Sequence, residues 1–189
     1  MNNMFRLCVA IFATAWLLMS CGNASPANEI WIREIYDEEL NVTGVEEIEF
    51  DGESSVEIKN SLCLKHSDST VVCKLAFSTS VRGRCMLEGC SLKLYLDSSS
   101  FRCDTVPGEF FIETSGTVKR NVAVQLRNQL FQALRSYYYD MYAGVEQNNP
   151  LVISDIAVSD DGIINGINSG HILNWRRNRG KTATNSDPN

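Results

Sequence analysis

Residues 56–64 read VEIKNSLCL and residues 71–77 read VVCKLAF, and in both the apolar side chains recur at every second position. Val56, Ile58, Leu62 and Leu64 share one parity, as do Val71, Cys73, Leu75 and Phe77. A period of two marks an extended strand with one buried face. Between the two runs, His66-Ser67-Asp68-Ser69 is a polar turn signal. Further along, Ser80-Val81-Arg82-Gly83 predicts a second turn, Cys90, Leu92, Leu94 and Leu96 a third strand, and Asp97-Ser98-Ser99-Ser100 another turn. A short strand is expected over 109–113. Residues 56–104 therefore read as an antiparallel meander of three or four strands.

Beyond the meander the period changes. From Lys119 to Ala143, Val122, Leu126, Leu130, Ala133, Leu134, Tyr137 and Met141 recur every three or four residues, which predicts one long amphipathic helix. Ser115 or Thr117 would cap its start and Gly144 would stop it. After Pro150, residues 151–158 and 163–164 predict a hairpin turning at Asp161-Gly162. The expected fold class is α+β: an antiparallel β-meander packed against one long amphipathic helix, with a C-terminal β-hairpin. One domain is expected over 29–178, with a disordered tail over 179–189.

A second helical set, Val124, Phe131 and Tyr138, is interleaved with Arg120, Arg127 and Arg135. It fits either a broad buried arc whose arginines snorkel at the rim or a contact surface rich in Arg and aromatics. On the second reading Arg127, Phe131, Arg135 and Tyr138 are the partner-binding candidates.

The N-terminus carries a different signal. One cation, Arg6, precedes Leu7–Met19, thirteen residues in which only Thr14 is polar. That run suits the apolar core of a signal peptide over 1–20 and is too short to span a bilayer. The junction Leu18-Met19-Ser20-Cys21 resembles the lipobox of bacterial lipoproteins, although Met19 is bulkier than usual at its place. The resemblance implies that Leu18 and Ser20 fit the processing peptidase and that Cys21 is the lipid-attachment residue. Residues 21–28, small and polar, would then be the lipidated Cys and its tether. Gly22 after the cysteine favours the outer membrane over the inner. An ordinary secretory cut after Gly22 or Ala24 is the competing reading.

Of seven cysteines, Cys8 and Cys21 belong to the leader and its junction, leaving Cys63, Cys73, Cys85, Cys90 and Cys103. Export implies an oxidising compartment, in which disulfides form. With the second turn centred on Val81-Arg82, Cys73 faces Cys90, so that pair is the expected disulfide; a shifted turn on the preceding hairpin would oppose Cys63 to Cys73 instead, and the odd count leaves at least one thiol over. The cysteine spacings do not match a zinc site.

The chain carries 17 basic and 23 acidic residues, and eleven acids lie between Gly22 and Lys59, read as a solvated lead-in or else as a surface that pairs with the basic C-terminal end or with a basic partner. A net charge of −6 argues against nucleic acid as a partner. His66 and His171 have no nucleophile or carboxylate at a recognisable spacing, and no phosphate loop, Gly-x-Ser-x-Gly or His-Glu-x-x-His occurs. No catalytic residue, metal or cofactor is assigned. The expectation is an exported cell-envelope protein, anchored to the membrane through lipid, that binds a protein partner without catalysis. A secreted, unlipidated binding domain and a hydrolase with a dispersed site are the alternatives.

Overall fold

A computed structural model describes residues 28–52, 54–67, 71–114, 120–145, 149–158, 163–168 and 171–178. The leader, Cys21, the tether to residue 27, the caps Ser115 and Thr117, the Asp161-Gly162 turn and the tail lie outside these residues.

The strands are β1 (Ile30–Asp37), β2 (Val42–Asp51), β3 (Ser55–Ser67), β4 (Val71–Glu88), β5 (Ser91–Thr114), β6 (Leu151–Val158), β7 (Ile163–Asn168) and β8 (His171–Arg177). They are joined antiparallel in chain order, and β8 pairs with β1 to close a barrel. One helix, α1 (Arg120–Ala143), is inserted between β5 and β6. The fold is therefore mainly β, which corrects the α+β expectation. The meander and the C-terminal hairpin are arcs of one closed sheet, so most of the core is sheet against sheet. Closure also shortens the free edges that an open meander would expose, leaving unpaired only the parts of β1 and β8 beyond their short ladder.

The parity read from residues 56–77 is the inward one. Val56, Ile58, Leu62, Leu75, Phe77 and Val81 are buried, joined by Trp31, Ile48, Phe50, Leu92, Leu94, Ile153 and Trp175. An eight-stranded barrel has an interior of a width that such side chains fill. The outward positions are charged. Lys59 bridges Glu49 (2.5 Å) and Glu57 (3.2 Å), and Arg82 reaches Glu57 (3.3 Å), forming a chain of ion pairs across β2, β3 and β4. Glu46, Glu49 and Glu57 are thus strand residues with cross-strand partners, and Glu29 meets Arg177 from the other end of the chain, so these acids are not a solvated lead-in.

Two expected turns are interior to strands. β4 runs unbroken through Val81-Arg82, and the reversal comes at Gly89, where φ is +61°. A bulge stands where a turn was read at Asp97–Ser100: Arg82 pairs with Asp97 while Ser80 pairs with Arg102. The bulge satisfies itself locally. Asp97 accepts from the Ser99 amide and hydroxyl, and the Ser100 hydroxyl donates to the Asp97 carbonyl. Its extra residues return Phe101 to the inward face.

α1 lies on the barrel through a narrow stripe, Leu134, Tyr138 and Tyr142, one turn apart. Tyr138 packs on Phe77 (5.6 Å between ring centres) and Tyr142 on Phe101 (6.0 Å). Tyr137 and Met141, expected in the buried stripe, are exposed. The helix ends as expected, with the Gly144 amide donating to the Asp140 carbonyl (3.3 Å).

Candidate functional site: a polar row and an open seam

Not every inward position is apolar. Arg33 on β1 pairs in register with Glu46 on β2, Glu46 with Asn60 on β3, Asn60 with Thr79 on β4, and Thr79 with Cys103 on β5. A row of polar side chains thus crosses five consecutive strands inside the barrel. Tyr142 drops into it from α1, its hydroxyl accepting from the Asn60 side-chain amide at 2.5 Å. The same amide donates to the Thr79 hydroxyl at 3.0 Å. Asn60 is 3% exposed, and its Oδ1 has no hydrogen-bond partner among the described residues. Turning the amide over would only exchange which end lacks one.

At the other end of the row the barrel wall is thin. β3 and β4 pair over thirteen residues, whereas β1 and β8 pair over two, Trp31 with Arg177 and Ile32 with Arg176. The Asn178 amide extends this short ladder to the Ile30 carbonyl. Past Ile32 no further backbone pair joins the two strands, and side chains bridge the seam instead. The Arg33 guanidinium meets Glu46 at 2.5 Å and lies 5.2 Å from the centre of the Trp175 ring. The Trp175 indole N–H donates to the same Glu46 carboxylate at 3.4 Å. A cavity of about 710 Å³ opens here, lined by Ile32, Arg33, Glu34, Val45, Asn165, Asn174, Trp175 and Arg176.

The electrostatics of the row favour neutral hydroxyl and thiol groups. Burial, reinforced by the Glu46 charge, pushes the Tyr142 phenol up to about 12, against opposing contributions from Asn60, Thr79 and Arg33. Burial and the Asp104 charge push the Cys103 thiol up to about 11, with Arg135 opposing. An activated nucleophile needs the reverse shift, so neither group is poised to attack at neutral pH. The arrangement presents a guanidinium over an indole ring, a carboxylate, and strand residues without a backbone partner beside them.

The residues singled out from the sequence fall elsewhere. Tyr138 is buried on Phe77, and Phe131 packs partly against the core, so neither offers a free contact face. Arg127 is half-buried and bonds its neighbour Asn128. Arg135 is exposed beside β5. The expected Cys73–Cys90 disulfide is absent: Cys73 is a free, buried thiol facing His66 on β3 and Ile112 on β5, because β4 continues past the predicted turn.

The sequence reading passed over Arg33, Glu46, Asn60 and Trp175. Their signal was present in Val42, Glu46, Ile48 and Phe50, which share a parity, but a glutamate in an acidic stretch reads as a solvated one. No protein-family model matches the chain, and a comparison with curated proteins finds no match.

Proposed function

We propose that this chain is an exported, lipid-anchored protein of the cell envelope, held at the outer membrane through Cys21. It binds another protein without catalysis, taking an extended segment of that partner along the open half of the β1/β8 seam. The observation that carries the binding reading is the two-residue ladder between β1 and β8. Past it, Arg33 and Glu34 of β1 and Asn174 and Trp175 of β8 line a cavity without pairing to each other, and an added strand would satisfy such edges while its side chains meet Arg33, Glu34 and Arg176.

Anchoring by lipid suits the barrel's chemistry. A barrel that spans a membrane carries an apolar band outside, whereas this one carries Glu49, Glu57, Lys59 and Arg82 outward and its apolar residues inward. Between Cys21 and Ile30 the chain reaches at most about 30 Å, which keeps the barrel close to the surface. β1 starts at the end nearest the tether, and the open half of the seam follows toward Asp37, which meets Tyr137 of α1 at 3.3 Å.

Two measurements test the reading. Cells expressing the full chain should incorporate a palmitate analogue, and Cys21→Ser should abolish incorporation; equal labelling of both would exclude the anchor. Photo-crosslinking residues placed at Glu34 and Tyr36 should capture residues two apart in one partner, as a paired strand requires. Captures from these positions that match those from Val152, outside the seam, would exclude strand addition.

A further inference from the structure

The bulge in β5 and the outer side of α1 enclose a second groove, of about 540 Å³, lined by Ser98, Ser99, Phe101, Arg102, Gln132, Arg135, Ser136 and Tyr139. Two arginines from different elements line it. Arg102 is aimed by its own bulge, donating to the carbonyls of Phe101 (2.9 Å) and Ser99 (3.5 Å). Arg135 reaches the groove from the helix. In this acidic protein Arg33, Lys59, Lys74, Arg82, Lys93 and Arg177 are each bonded to a carboxylate. Arg102 and Arg135, like Lys65, Arg84, Arg127 and Arg176, have no such partner among the described residues.

The remaining lining is chemically coherent. Ser98, Ser99 and Ser136 supply hydroxyls and Gln132 an amide. Tyr139, held edge-on against Phe101 at 5.7 Å, keeps an accessible ring. The nearby Asp97 carboxylate accepts from the Ser99 amide and hydroxyl, bonds that lower its pKa and keep it charged. It makes no ion pair with either arginine among the described residues.

We propose that this groove is a binding site for a small phosphorylated sugar. The phosphate is taken between Arg102 and Arg135, which offer forked donors suited to its oxygens. The hydroxylated body lies against Ser136, Gln132 and the Tyr139 ring, and the volume exceeds what a bare oxyanion fills. The site is independent of the seam.

Calorimetric titration of the full chain tests it, with glucosamine 6-phosphate, glucosamine and inorganic phosphate as probes. Glucosamine 6-phosphate should bind more tightly than either of the other two. Arg135→Gln and Arg102→Gln should each weaken it by about tenfold or more, and Arg135→Gln should leave the melting temperature unchanged because its side chain is exposed and makes no hydrogen bond among the described residues. Lys65→Gln, remote from the groove, should bind as wild type. Equal affinity for inorganic phosphate and the sugar phosphate would overturn the sugar assignment. Arg135→Gln behaving like Lys65→Gln would overturn the site.

Discussion

Glu46 of β2 is bonded at once to Arg33 of β1 and to the indole of Trp175 on β8, so one carboxylate joins the two strands whose backbone ladder has already ended. Their side chains are less than a quarter exposed, and removal of one partner leaves the other charge without compensation. Glu46→Gln should cost about 2–3 kcal/mol in urea unfolding. Arg33→Met combined with Glu46→Met should recover much of the loss of either single change. A double variant as unstable as the sum of the two singles would show that the pair is not coupled.

The seam should also be the first part of the barrel to open. Alternate amides of Arg33–Asp37 point away from β2, toward the open side, while β3 is paired on both edges. In hydrogen exchange those amides should lose protection well before the β3 amides from Val56 to Leu62. Uniform protection around the ring would contradict the two-residue ladder.

Tyr142 gives the protein an alkaline limit. An unfolded tyrosine titrates near 10, whereas this phenol is pushed up to about 12 by burial. Above pH 10 the unfolded chain loses the proton first, so stability is full below that pH and falls as pH rises toward 12. Cys103 adds a similar loss beginning near pH 9. The measurement is therefore the difference between wild type and Tyr142→Phe. The variant should show a shallower fall above pH 10 and, near pH 7, a cost of about 1–2 kcal/mol for its hydrogen bond to Asn60. Parallel alkaline profiles would mean that Tyr142 titrates normally.

Burial raises the Cys73, Cys85 and Cys103 thiols. Near neutral pH all three should resist iodoacetamide in the native protein and react fully in denaturant. Non-reducing peptide mapping should recover Cys73 unlinked. A Cys73–Cys90 peptide would restore the shorter β4 and its turn at Val81-Arg82.

The buried arc of α1 can be checked by a pair of truncations. Leu134→Ala should cost about 2–5 kcal/mol, since it opens a hole between helix and barrel. Met141→Ala should be within about 0.5 kcal/mol of neutral. Similar unfolding midpoints would place the helix on its other side.

Strand parity, the helix span and its glycine stop could all be read along the chain, because each is a local periodicity or a single-residue conformational need. Val56 to Phe77 point inward as their alternation requires, and α1 ends before Gly144. Which arc of the helix is buried was not legible. Leu130, Leu134, Tyr137, Tyr138 and Met141 offer two overlapping apolar arcs, and only contact with Phe77 and Phe101 selects the one through Tyr138 and Tyr142. Closure was likewise a tertiary decision. Trp31 meets Arg177 from the far end of the domain, and no local pattern announces a ladder two residues long. The inward turn of Glu46 follows the same logic. A carboxylate faces water by default, and it can face the core here only because Arg33 and Trp175 arrive from two other strands to receive it.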